Sequence, residues 1–126
     1  CLNGSYARGR EMIDLGCGVA IATNYNPGSA PSPSMPFTIS LACRRLGLTP
    51  AEAITASTIN AACVLGLQDR IGSIEVGKQA DFQLLDCNDE REIAWHIAAG
   101  TPLLVSIQGE IVHLLTDGEM EIEDES

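Results

Sequence analysis

Val19-Ala20-Ile21-Ala22-Thr23-Asn24-Tyr25-Asn26-Pro27-Gly28-Ser29 is the stretch that decides the fold. Its first three residues are apolar and read as the centre of a buried strand over 18–23. Two Asn, a Pro, a Gly and a Ser then stop that strand. A short buried strand opening into a polar loop, with helical sequence behind it, is where α/β folds place their sites. Asn-Pro-Gly also makes a tight bend unaided, because Pro fixes φ and Gly accepts conformations that other residues avoid.

Working outward, Arg8 to Leu15 reads as the end of a helix closed by Gly16, so the strand has a helix before it. A parallel strand needs parallel neighbours, which βαβ units supply. With no earlier strand, this reads as part of a larger repeating unit. Beyond the loop, Pro31-Ser32-Pro33-Ser34 is a rigid connector, and Ser34 makes an N-cap for a helix over about 35–46. Met35, Ile39, Ala42, Cys43 and Leu46 give that helix one apolar face, and Gly47 ends it. Thr49-Pro50-Ala51-Glu52 is a capping box with Pro at the first helical position. A second short helix follows from about Thr58 to Leu65, closed by Gly66.

From Gly72 the grammar changes. Ile74 and Val76 alternate with polar residues, Gly77-Lys78 makes a tight turn, and Ala80 to Asp86 reads as a strand. Asp89 to Trp95 has room for a helical turn. Leu103–Ile107 and Ile111–Leu115 flank Gln108-Gly109-Glu110, a hairpin signal. The chain therefore divides near 67–72 into an α/β part and a mostly β part.

Composition sets bounds on this. With 126 residues there is room for one domain at most. Formal net charge is -10, and Asp117 to Ser126 carry six of the seventeen acids and no base, which reads as a solvated, disordered tail. The seven bases form no cluster, which argues against nucleic acid. Cys1, Cys17, Cys43, Cys63 and Cys87 are odd in number and show no C-x-x-C; the last four sit in apolar sequence, as reduced, buried thiols of a cytoplasmic protein do. No stretch is long enough to span a membrane.

Gly72-Ser73-Ile74-Glu75-Val76-Gly77-Lys78-Gln79 has the G-x-x-x-x-G-K of a phosphate loop. Gln79 stands where Ser or Thr must hold magnesium, and strand-like residues lie on both sides. A β-turn closed by Gly77-Lys78 is the better reading, and nucleotide binding is rejected.

Taken together, these segments resemble a known family. Ala22 to Ser29 is similar to the loop after the eighth barrel strand of imidazolonepropionases, within the metal-dependent amidohydrolases. The resemblance continues through Leu41-Ala42-Cys43, Leu48 to Ala53, Thr58 to Ala62 and Gly72 to Asp81. It implies the C-terminal portion of a (β/α)8 barrel over 1–70, part of the accompanying small β-sandwich over 71–116, and the acidic tail over 117–126. It also implies a hydrolase that opens the ring of imidazolone-5-propionate in histidine breakdown. In that chemistry a Zn or Fe ion activates water, and a carboxylate carries the proton.

Two departures from the family pattern stand out. The histidines that ligate the metal are absent: His96 and His113 lie in the β-like part and read as surface or partly buried imidazoles. Asn24 falls on the metal-binding, proton-shuttling Asp, and its amide is a weak ligand that cannot act as a base. Asn26, Gly28 and Ser29 match positions that contact substrate. The chain alone is thus expected to be inactive and to hold no metal, requiring a missing N-terminal portion for a small-molecule substrate. The alternative is a non-catalytic relic or interaction module that pairs through exposed strand edges, with itself or another chain.

Overall fold

The computed structural model describes residues 5–95 and 101–115. The elements in chain order are α1 (Gly9–Asp14), α2 (Met35–Leu46), α3 (Pro50–Ser57), α4 (Ile59–Val64), β1 (Phe82–Leu84), α5 (Arg91–Trp95), β2 (Leu104–Ile107) and β3 (Glu110–Leu114). Both ends of α2 and the start of α3 have local causes. The Ser34 hydroxyl accepts the Phe37 amide at 3.2 Å, and Gly47 stops α2 at φ 73°. Arg44 and Arg45 occupy its last turn, where cations oppose the negative end of the helix dipole. At α3 the capping box closes both ways: Thr49 Oγ1 accepts from Glu52 N at 3.2 Å, and Glu52 Oε2 accepts from Thr49 N at 2.8 Å.

α2 packs against α3, and α1 and α5 pack against α2. The shared core is Ile39, Ala42, Leu48, Ala53, Ala56 and Ala94, rimmed by Ile13, Ile21, Cys43, Leu46 and Ile93. Four of those six core residues are Ala, so the helices approach closely but each contributes little apolar area. At about 25 cal/mol per Å² of apolar surface, an alanine core stabilises far less than one of Leu and Phe. Val64, Leu65, Ile74 and Val76 are among the large apolar residues left in water.

Over 18–23 the buried or half-buried Val19, Ile21 and Thr23 alternate with exposed Gly18, Ala20 and Ala22, as in an extended run, but the segment is not a strand: no ladder partner exists among the described residues. It docks on helices instead. Ile21 N donates to Ala56 O at 3.1 Å, and Asn60 Nδ2 donates to Val19 O at 2.8 Å. The physical reason is that strand structure is a property of pairs, and helix ends supply the partners that neighbouring strands would. Ile74 and Val76 form no strand either, and both side chains are fully exposed; the chain there is a series of turns. Cys17 and Cys63 are exposed, against the expectation of burial, while Cys43 and Cys87 are half-buried and all four are free. Cys63 lies beside the exposed Val64 and Leu65, so one flank of α4 is uncovered.

β1, β2 and β3 form an antiparallel sheet in that order, pairing Phe82 with Ser106 and Leu104 with Leu114. Gln108 (φ 54°) and Gly109 (φ 83°) make the two-residue turn between β2 and β3, with positive φ at both positions as the twist of the strands requires. The tip is pinned to the start of β1, since Gln108 N donates to Asp81 Oδ1 at 2.7 Å and Ser106 Oγ to Ala80 O at 2.9 Å. Among the described residues no helix is long and apolar enough to cross a membrane. The expectations for Cys1, His96 and the tail over 117–126 lie outside the described residues.

Candidate functional site

The loop over 22–29 is built around one side chain. Asn26 Oδ1 accepts three hydrogen bonds, from Gly28 N at 3.0 Å, Ser29 N at 2.8 Å and Ser29 Oγ at 3.2 Å. Asn26 Nδ2 donates to the carbonyl of Asn24 at 2.6 Å. The backbone of Asn26 also exchanges two hydrogen bonds with Ala30, at 3.0 and 3.3 Å, which closes the loop on itself. An Asn does this because its amide offers an acceptor and a donor within reach of its own neighbouring backbone. Gly28 and Ser29 are exposed and are held by Asn26.

Asn24 is exposed and has φ 51°, in the left-handed region. Asn and Asp enter that region more readily than other residues with a side chain, because their short polar groups bond locally. Position 24 therefore suits Asn and Asp equally on backbone grounds, and the two differ there in charge and basicity. Thr23 Oγ1 accepts from Tyr25 N at 3.3 Å, so residue 24 is braced on both sides. The sequence pattern did not single out Thr23, although a Thr two residues before a backbone N–H is a recurring turn device. Nor did it single out Asn60, the polar residue in α4 that anchors the extended segment.

Asn24, Asn26, Gly28 and Ser29 are brought together in one loop; His113 is elsewhere, half-buried on β3, with its Nε2 shielded from solvent. Among the described residues no group of three or more His, Cys, Asp or Glu converges. The described residues thus do not fit a divalent ion by themselves, since such a site needs several ligands around one point. A cleft of about 270 Å³ lies between α1 and α3, lined by Ile13, Cys17, Val19, Thr55 and Asn60 among others; none of residues 22–29 lines it.

The segment over 72–79 is a turn, as its sequence indicates. Lys78 N donates to Glu75 O at 3.1 Å, and Gly77 has φ 91°. Lys78 Nζ bonds Ser73 Oγ at 2.5 Å and Glu75 Oε1 at 2.9 Å, so its charge is engaged within the loop. Bonds from Ser73 and Lys78 hold the Glu75 carboxyl below its ordinary range. No helix follows the turn to cradle a phosphate.

The pin between α1 and α3 is electrostatic. Arg10 on α1 grips Glu52 on α3 with two nitrogens, at 2.8 and 3.1 Å, and adds a 2.8 Å bond to Asp14. The Arg10 guanidinium, helped by the Thr49 amide, holds the Glu52 carboxyl at about 2, against an ordinary 4.5.

Comparison with known proteins agrees with this architecture. The chain is 47% identical over 111 residues to an imidazolonepropionase of Symbiobacterium thermophilum, covering 88% of this chain and 26% of that one. It is 52% identical over 108 residues to an imidazolonepropionase of Phocaeicola vulgatus, covering 86% of this chain and 26% of that one. It thus spans about a quarter of the length of these relatives. Among solved structures, an amidohydrolase from Thermotoga maritima matches with a TM-score of 0.67 at 25% identity, over 84% of this chain and 25% of that one. The guanine deaminase of E. coli matches in fold, with a TM-score of 0.69 at 18% identity, over 90% of this chain and 31% of that one. Residues 4–119 match the amidohydrolase family, and the chain belongs to it.

Proposed function

We propose that this chain supplies the last strand segment, the site loop and the covering helices of a (β/α)8 barrel over 1–70. Residues 71–116 supply part of the accompanying β-sandwich. The whole would be a cytoplasmic hydrolase of a cyclic, amide-like C–N bond, acting on a small substrate such as imidazolone-5-propionate. The observation that carries this reading is the loop over 22–29, where a left-handed Asn24 and an Asn26-centred turn follow directly on an extended segment. The imidazolonepropionase relatives, 47% and 52% identical, support the substrate class.

In this reading the loop provides the site position at 24, with Gly28 and Ser29 beside the substrate. Asn26 keeps one Nδ2 hydrogen beyond the one it gives to Asn24 O, and that hydrogen is available to a ligand. Asn24 cannot take a proton from water at neutral pH, so the chain as it stands lacks the base this chemistry needs. A Zn or Fe ion would need ligands beyond those among the described residues. The test is to read the DNA upstream of the Cys1 codon. An open frame encoding a His-x-His strand and two later histidines supports the reading; an upstream frame without them overturns it.

A second reading, a non-catalytic module, is favoured by the uncovered sheet: Phe82 and Leu84 on one edge strand and Ile111, Val112 and Leu114 on the other are all exposed. Unpaired, apolar edges invite association. Light scattering tests the incompleteness that both readings require: a clean, well-folded monomer counts against both.

A further inference from the structure

We propose that Asn26 is a positioning residue for residue 24, fixing the left-handed backbone that sets where the side chain at 24 lies. This rests on the reading of residue 24 as a site position. The two ends of the Asn26 amide do separate jobs. Oδ1 gathers the Gly28 and Ser29 donors and shapes the turn behind it. Nδ2 reaches back to the Asn24 carbonyl at 2.6 Å. The three donors around Oδ1 dictate which way the amide faces, so the reach back to Asn24 is not interchangeable with the forward contacts.

Asn24 is where the extended segment ends, and φ 51° there breaks its two-residue alternation of side chains. A carbonyl held from the far side by Asn26 keeps the peptide after residue 24 from swinging back to an extended form. The brace is general to the position. It acts on the backbone carbonyl, which Asn and Asp share, so it would hold an Asp at that position in the same place.

The two jobs can be separated by substitution. Asn26→Asp keeps the acceptor oxygen for Gly28 and Ser29 and removes the Nδ2 donor. Ser29→Ala removes one forward contact and leaves the donor to Asn24. Isotope-labelled chain, wild type and each variant, is measured by NMR. The readouts are the intraresidue amide–Hα cross-peak of residue 24, which is strong when φ is positive, and the Gly28 and Ser29 amide signals. The proposal predicts a strong residue-24 cross-peak in wild type and Ser29→Ala. In Asn26→Asp it predicts a fall to the level of the extended residues Ala20 and Ala22, with Gly28 and Ser29 still ordered. A residue-24 cross-peak that stays strong in Asn26→Asp overturns it. Because the readout involves neither metal nor turnover, failure of the hydrolase reading leaves this coupling visible, and failure of the coupling leaves that reading untouched.

Discussion

Gly72 and Gly77 hold nearly the same backbone angle, φ 93° and 91°, in very different surroundings. A Cβ on Gly72 would sit 2.8 Å from Ala62 Cβ and 3.0 Å from Ile59 Cα, under α4, whereas one on Gly77 would meet nothing within 4 Å. Gly77→Ala therefore costs only the conformational penalty of a left-handed Ala, about 1–2 kcal/mol. Gly72→Ala carries the same penalty plus the cost of forcing a methyl into packed backbone, about 1–3 kcal/mol more. At this chain length each kcal/mol moves Tm by roughly 3–6 °C. Thermal unfolding of the two variants should thus separate by roughly 3–18 °C, Gly72→Ala being the weaker, on the same overpacking cost. Equal losses would refute the claim that the chain turns away from α4 through a contact that only Gly permits. Adding Ala62→Gly supplies a second check: it costs about 1 kcal/mol alone as a helix substitution, yet should recover part of the Gly72→Ala loss.

Other perturbations read other joints. The folded Glu52 carboxyl titrates below its ordinary 4.5, at about 2, so its stabilisation is complete above pH 4.5 and is lost as pH falls towards 2. Tm against pH should therefore drop through that window, and Glu52→Gln should make the drop shallower; Asp89, held at about 2 by Arg91, keeps it from vanishing. Thr49→Ala removes the cap of α3 and should cost about 1 kcal/mol in urea unfolding. Ala53, fully buried between α2 and α3, should accept no larger residue: Ala53→Leu should cost about 1–3 kcal/mol, where the same change at exposed Ala51 costs nothing measurable.

What could be read from sequence was what local chemistry decides. Ser34, Thr49 and Glu52 announce helix starts because each bonds amides within three residues, and Gly16, Gly47 and Gly66 announce ends because each takes positive φ. Gln108-Gly109 announces the hairpin for the same local reason. Val19 and Ile21 read as strand because the apolar pattern is real while the pairing partners are not local; the helix ends at Ala56 and Asn60 take them up. Ile74 and Val76 alternate without a sheet to join, and Cys63 looks buried only until its flank of α4 proves uncovered. At the site, the residue types were legible and the geometry was not: nothing in the string of letters says that Asn26 reaches backward to Asn24 as well as forward to Ser29.

The central claim is that the loop over 22–29 is the site loop of a metal-dependent hydrolase, with position 24 as the seat of its base. The direct test replaces the matching quarter of the Symbiobacterium thermophilum imidazolonepropionase with residues 5–115 of this chain, either unchanged or with Asn24→Asp. Hydrolysis of imidazolone-5-propionate is then measured at equal metal loading. The account predicts that the Asn24→Asp chimera turns over substrate about 10²–10⁴-fold faster than the unchanged one, the usual worth of a positioned general base. Equal rates in two folded, metal-loaded chimeras would contradict it.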